Sequence, residues 1–312
     1  MHSILRKGAT ALAFLGVCVL VLEVGDAIAP VPLAVAGAAV LERHAPEWMT
    51  SVSNHQILLT HKRVIPLGRA SIRVPILMYH YIRSAPSIYK DYVGYRLSVT
   101  PADFRTQMDW LAGHGYNPVD FNDLREYFAG REPLPSKPVV LTFDDGYSDL
   151  YTTAYPVLHE YRFKAVAYIV TSFVGTSRYV TAAQVLEMDH NGIQIASHTV
   201  DHANLAGTSL SWATQQLASS RTWLQQLVGH PVIDFAYPSG KFNSGVVGAL
   251  QATGYDTAVT ELPGTVHARA DRYLWTRVRV GGGESLSDFV QNLGPVEPWI
   301  DITALTTERR AP

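Results

Sequence analysis

The chain has one cysteine, Cys18, in 312 residues. A single thiol cannot close an intramolecular disulfide or build a cysteine-based zinc or iron–sulfur cage. A bound metal must therefore be held by His, Asp or Glu. Neither sign of charge dominates: Lys+Arg total 25 and Asp+Glu 27, a formal net charge of −2. A strongly basic face is not expected, and no nucleic-acid partner is assigned. Charged residues make up only 17%, and 18 Pro and 23 Gly are too few for a collagen-like or low-complexity protein. The 47% apolar content excludes a disordered chain.

Part of that apolar content sits at the start. Arg6 and Lys7 precede Gly8 to Leu22, fifteen residues without a charge, and a second apolar run spans Ala27 to Leu41. A positive segment, a short apolar core and small residues read as an export signal. Ala34-Val35-Ala36 fits the small-x-small cleavage rule, which makes residues 1–36 a signal peptide. A retained membrane anchor is the second reading, because fifteen residues fall short of the roughly 20 of a full span. A buried N-terminal helix is the third. Lipid modification of Cys18 is disfavoured by the bulky Val17 before it. The first two readings place the remainder outside the cytoplasm: secreted, periplasmic or cell-surface. Residues 37–70 lack periodicity and read as a linker or loosely docked arm; residues 71–295 form one domain and 296–312 a C-terminal tail. Nothing in the sequence reports an oligomeric state.

From Val74 onward, short apolar strands alternate with helical patterns. Strands are expected at 74–79, 139–143, 165–170, 193–196, 232–237, 257–260 and 273–280. Helices are expected at 101–113, 148–161, 181–188, 211–227, 244–253 and 285–293. Strict alternation over about 220 residues implies a parallel sheet in an α/β fold, and the size favours a barrel of seven or eight strands.

In such folds, functional groups gather where strands end. Three strand ends stand out. Asp144 and Asp145 follow an apolar strand directly, which is costly unless a cation or a proton relieves their repulsion. Gly146 permits a sharp turn there; alternatively, the pair is a helix N-terminus favoured by the macrodipole. His198 and His202, at i and i+4 after the next marked strand, lie on one side of a helical turn and can converge on one ion. Tyr237-Pro238-Ser239-Gly240 ends a third strand, and its turn can direct a backbone N–H into the pocket as an oxyanion donor.

These segments, in this order, resemble the polysaccharide deacetylase family, the NodB-homology or carbohydrate esterase 4 group. TFDDG (142–146) matches its first motif and HTVDH (198–202) its second, while FAYPSG (235–240) stands where its third belongs. VPILMYHYI (74–82) resembles the opening of the subgroup that acts on poly-β-1,6-N-acetylglucosamine. The resemblance spans roughly Val74 to Leu293 and implies a distorted (β/α) barrel with seven or so parallel strands. It implies Asp144 as general base, Asp145, His198 and His202 as metal ligands, and the Ser239 backbone N–H as oxyanion donor. The cofactor implied is a divalent cation, Zn2+ first, with Co2+, Ni2+ and Fe2+ as alternatives. The implied partner is an N-acetylated polysaccharide from which a hydrolase removes acetyl groups.

Three departures from the family pattern shape the remaining assignments. Ala236 replaces the usual third-motif Arg, and Arg277 on the late strand LWTRVRV is the candidate to supply that charge, with Arg279 on the same face by period two. Ser239 stands where the family usually has Tyr. No Leu-x-His follows, so His80 becomes the candidate general acid. Tyr81, Tyr147, Tyr237 and Trp275, with Pro238 beside them, are expected to line the substrate path. The loop from Arg83 to Ser98 reads as substrate-facing. His114, His159, His190, His230 and His267 read as surface residues. An O-acetyl esterase acting on xylan or another glycan, and a non-catalytic glycan-binding scaffold, are the alternative readings.

Overall fold

The computed structural model of the protein describes residues 63–301. The expected export segment, residues 37–62 of the arm and residues 302–312 of the tail lie outside the described residues. In chain order the first strands are β1 (Arg63–Ile65), β2 (Ser71–Arg73), β3 (Ile76–Tyr79), β4 (Tyr81–Ile82), β5 (Ser98–Val99), β6 (Asn117–Pro118) and β7 (Leu134–Pro135). They are followed by β8 (Pro138–Phe143), β9 (Ala165–Ile169), β10 (Ile193–Ser197), β11 (Asp234–Ala236), β12 (Thr257–Pro263), β13 (Val266–Ala268), β14 (Trp275–Arg279) and β15 (Ile300–Asp301). The helices are α1 (Tyr92–Leu97), α2 (Pro101–Gly113), α3 (Phe121–Phe128), α4 (Tyr155–Tyr161), α5 (Ala182–His190), α6 (Leu210–Val228), α7 (Ser244–Ala252) and α8 (Leu286–Asn292).

Seven parallel strands close a barrel in the order β3-β14-β12-β11-β10-β9-β8, and β8 returns to β3. Closure rests on two registers of β3, Leu77 against Val278 and Ile76 against Val140. Short β6 adds to the flank of β8. Period-two alternation sorts the strand residues. Ile76, Val140, Val166, Tyr168, Ala196, Ala236, Val259 and Trp275 share one buried cluster inside the barrel. Their neighbours Leu77, Leu141, Ala167 and Ile195 belong to a second cluster with Phe104, Met108 and Leu111 of α2 and Leu158 of α4. Burying each such side chain contributes about 1.5–3 kcal/mol.

Local signals explain the helix starts. Thr100 accepts from Asp103 N–H at 3.1 Å with Pro101 at the first position of α2. Thr181 and Gln184, and Ser285 and Asp288, form reciprocal caps on α5 and α8. The helix expected over 148–161 instead begins as a π-helical turn, Leu150–Ala154, in which Tyr155 N–H bonds the Leu150 carbonyl. Pro156 has no N–H to offer the preceding turn, which loosens the ladder there.

Three expectations need correction. The arm is not loose throughout: Arg63–Ile65 is a strand pairing with both β7 and β15. The tail is likewise docked as far as residue 301, through β15 and through Glu297, which accepts from Arg69 Nη1 at 2.9 Å and from Arg73 N–H at 2.8 Å. The segment 83–98 is not wholly loop, since α1 starts at Asp91, whose carboxylate accepts from Gly94 N–H at 2.8 Å.

The amino ends of the strands form the barrel floor. There Asp234 accepts from Arg125 Nη1 and Nη2 at 2.5 and 3.1 Å, from Gln194 Nε2 at 2.8 Å, and from the Thr257 hydroxyl. Among the described residues, no helix is long and apolar enough to cross a membrane.

Candidate active site

The carboxyl ends of the strands form the mouth, and the marked residues assemble there. Asp144 and Asp145 follow β8, His80 follows β3, His198 and His202 follow β10, and Arg277 lies on β14. Asp145 and Gly146 both adopt positive φ, 73° and 76°. This left-handed pair turns the chain so that the two adjacent carboxylates face different partners. A Cβ on Gly146 would sit 3.1 Å from Ile169 Cδ1, so the turn also needs a residue without one.

Asp145, His198 and His202 each direct one ligand atom into a common space, all within 4.8 Å of one another. Asp145 Oδ1 lies 3.4 Å from His198 Nε2 and 3.3 Å from His202 Nε2. That oxygen is buried with no hydrogen-bond partner among the described residues. Three donors each about 2.0–2.1 Å from a tetrahedral centre stand about 3.3 Å apart, so the group fits a zinc-sized cation. His198 Nδ1 is 2.8 Å from the Ala236 carbonyl. A carbonyl only accepts, so Nδ1 carries the proton and Nε2 presents its lone pair. The expected helical turn is not what joins the histidines. Thr199 and His202 are left-handed, φ 68° and 58°, and the segment is a non-helical turn.

Asp144 belongs to a different partner. Arg277 grips it with both arms, Nη1 to Oδ1 and Nη2 to Oδ2, each at 2.7 Å. Arg277 itself is fully buried, with Nε donating to the Thr260 carbonyl at 2.8 Å and Nη1 also reaching the Thr142 hydroxyl at 3.2 Å. Burial pushes the Asp144 carboxyl up, but the Arg277 guanidinium outweighs it and holds the group below the ordinary carboxylate range. Burial likewise opposes ionisation of Asp145, and His198 overrides it. Asp145 and Asp144 raise the proton affinity of His198 against the lowering effect of burial. His80 Nε2 stands 3.9 Å from Asp144 Oδ2, and burial lowers its pKa. Arg279, on the same strand face, is engaged by Glu261.

Two of the expected residues, Tyr237 and Trp275, do not reach this centre. Ser239 is exposed in a left-handed conformation, φ 53°, just beyond β11, and Pro238 beside it is buried. Tyr147 stacks between Tyr81 and Tyr179, with ring centroids 3.7 and 5.1 Å away. Tyr237 is fully buried; it alternates with inward Ala236, packs outward with Phe235, and donates its hydroxyl to the Tyr273 carbonyl. Trp275 is inward but opens β14, at the floor, and is 1% exposed. Neither of these two lines the mouth. His267 is not a surface residue either: it is 1% exposed, with Nε2 3.0 Å from the Val74 carbonyl. Thr142 and Thr260, which brace Arg277, were not singled out by sequence; Thr142, within the first motif, had a sequence signal and Thr260 had none.

A closed parallel barrel thus carries at its mouth an arginine-held carboxylate, Asp144, beside an Asp145/His198/His202 group that could hold a metal ion. Residues 131–258 match the Polysaccharide deacetylase family. YxkH of Bacillus subtilis (strain 168), described in the same family terms, is 34% identical over 217 residues, covering 70% of this chain and 75% of that protein. A poly-beta-1,6-N-acetyl-D-glucosamine N-deacetylase of Staphylococcus epidermidis is 28% identical over 199 residues, 59% of this chain and 68% of that protein. The structure of the Streptococcus pyogenes deacetylase PplD in complex with acetate superposes with a TM-score of 0.66 at 29% identity, covering 72% of this chain and 99% of that one. The chain belongs to the polysaccharide deacetylase family, the NodB-homology or carbohydrate esterase 4 group, whose members are hydrolases.

Proposed function

We propose that this protein is a metal-dependent N-deacetylase acting on an N-acetylglucosamine-containing polysaccharide, with acetate and a free amine as products. The observation that carries the reading is the Asp144–Arg277 grip set beside the Asp145–His198–His202 group. The substrate class is supported by the name of the staphylococcal relative. Near-neutral charge suits a neutral acetylated glycan.

Asp145, His198 and His202 are the residues to hold the cation, and a donor set of two imidazoles and a carboxylate suits zinc. Such a cation supplies Lewis-acid polarisation of the acetyl carbonyl and acidifies water. Asp144 takes the proton as water adds to the carbonyl carbon. Arg277 keeps that carboxylate ionised and aimed, at the cost of making it a weaker base. The Ser239 N–H donates to the developing oxyanion. His80 delivers a proton to the nitrogen as the C–N bond breaks. Tyr147 is the residue proposed to contact the sugar, whereas Pro238 is buried. Residues 1–36 support export of the enzyme, as a cleaved signal or as an anchor.

Protein lacking residues 1–36 is expected to release acetate from N-acetylglucosamine oligomers with an added divalent cation, and to stop on chelation. Asp144→Asn is expected to abolish release while metal content stays at the wild-type level. Release from acetylated xylan alone would replace the amidase reading with an esterase. Glycan binding without turnover of either substrate would make the protein a scaffold.

A further inference from the structure

A second cavity, of about 240 Å³, opens at the floor of the barrel. Its wall includes Thr257 and Trp275, the first residues of β12 and β14, whereas the catalytic groups lie at or beyond the opposite ends of the strands. Four guanidinium groups line it, those of Arg125, Arg131, Arg269 and Arg272, against one carboxylate, Asp256.

Two of the four arginines are already committed. Arg125 is held by Asp234. Arg131 turns to Glu126 on the surface, at 2.5 and 2.7 Å. The other two keep donors in reserve. Arg269 is exposed and has no carboxylate partner among the described residues; its Nη1 reaches only the Phe128 carbonyl, at 3.5 Å. Arg272 is paired in part: its buried Nε lies 3.4 Å from Asp256 Oδ1 and its Nη2 donates to the Tyr273 hydroxyl at 3.2 Å, which leaves Nη1. Asp256 must also serve Arg125, whose Nε is 4.0 Å from its Oδ2. The cavity thus offers spare donors from two guanidinium groups, Arg269 and the Nη1 of Arg272, which suit an oxyanion.

The remaining wall is aromatic. The Trp275 indole N–H is occupied by the Ala268 carbonyl at 2.9 Å and Asp271 Oδ1 at 3.1 Å, and the residue is 1% exposed, so it backs the wall while half-buried Phe128 faces the cavity. Phe128 lies beside it, with centroids 5.9 Å apart. A flat apolar wall beside paired cations suits a small anion with a ring attached, and the volume is too small for a glycan chain.

We propose that the barrel floor carries a second binding site, in which Arg269 and Arg272 hold the phosphate group of a small phosphorylated molecule. This site stands apart from the catalytic mouth and does not depend on the deacetylase reading. Ligand bound only by the folded state raises Tm, by about 2–3 °C at ten times Kd for a chain of this size. Full-length protein is titrated with sodium phosphate and with glucose 6-phosphate at constant ionic strength. Both are expected to raise Tm beyond chloride, with glucose 6-phosphate half-saturating at lower concentration if the ring rests on Phe128. Equal half-saturation would still support the phosphate site and would identify free phosphate as the sufficient ligand. Arg269→Gln, an exposed change without a carboxylate to orphan, is expected to remove most of the shift, and Arg272→Gln to do the same from its own baseline. A shift that persists in Arg269→Gln overturns the proposal, because phosphate captured by a cation at the mouth would behave that way. So does a shift no larger than that of chloride.

Discussion

Asp144 and Arg277 are 133 residues apart in sequence and meet through two 2.7 Å contacts in a buried setting. Removing one partner of such a pair leaves an uncompensated charge and costs about 3–5 kcal/mol, so Arg277→Met is expected to be strongly destabilised. Arg277→Lys separates function from folding. It keeps the charge but loses the two-armed grip, and kcat/KM is expected to fall about 100-fold. Arg277 holds the Asp144 pKa down, and in the proposed mechanism the ionised form is the base. The acid limb of the pH–rate profile should therefore move to higher pH in Arg277→Lys. An unmoved limb with an unchanged rate would remove Arg277 from the role of positioning residue. The arginine was legible because a charge on an otherwise apolar strand needs a reason, and its family position was vacant at Ala236. Tyr237 and Trp275 were misplaced for a complementary reason. Proximity to a strand end says nothing of which face or which end, and both follow only from the register of the closed barrel.

At the level of elements, the triplet Gly281-Gly282-Gly283 after β14 shows how the segment 83–98 is held at the mouth. A Cβ on Gly281 would fall on the Arg96 carbonyl oxygen and one on Gly282 on that of Tyr95. The turn therefore presses backbone to backbone against α1. Gly248, inside α7, has nothing within 4 Å of the corresponding position. The two sites predict opposite outcomes for one chemical change. Gly282→Ala should lower Tm and loosen α1. Gly248→Ala should raise stability by up to about 1 kcal/mol through helix propensity alone. Paired melting curves check both, and a destabilised Gly248→Ala would show the space around α7 to be tighter than described. The barrel strands and most helices were legible because apolar period and capping residues agree along this sequence. α3 escaped notice, although Asp120 and Asp123 cap it reciprocally. β1, β7, β13 and β15, of two or three residues each, owe their existence to partners far away in the chain.

For the whole molecule, pH dependence of stability has one source in His267. Burial lowers its pKa to about 4, outweighing the raising effects of the Val74 carbonyl and Asp271, and Nδ1 is buried without a partner to receive a second proton. The unfolded chain binds that proton near pH 6.5, so it holds more protons than the native state between about pH 4 and 6.5. Stability from this group is thus complete above pH 7 and lost as pH falls through that window. Between pH 7.5 and 5.0 the loss amounts to about 2 kcal/mol. Denaturant titrations at the two pH values should show a difference smaller by that amount in His267→Gln than in wild type. An equal difference would assign the acid sensitivity elsewhere. In sequence this histidine looked solitary, because its acceptor lies 193 residues earlier.

The pairing of β1 with β15 sets Arg63 opposite Asp301, so the two ends of the described chain run side by side. Their sheet also contains β7, which ends three residues before the amino end of β8 and so lies towards the floor. The order in which the barrel is threaded is therefore not fixed by its shape. A short bridge between these ends would let the chain be opened at a surface loop elsewhere, leaving every strand neighbour as it is. The same adjacency would let the whole barrel be spliced into a loop of another protein, entering and leaving at one point on the side away from the mouth.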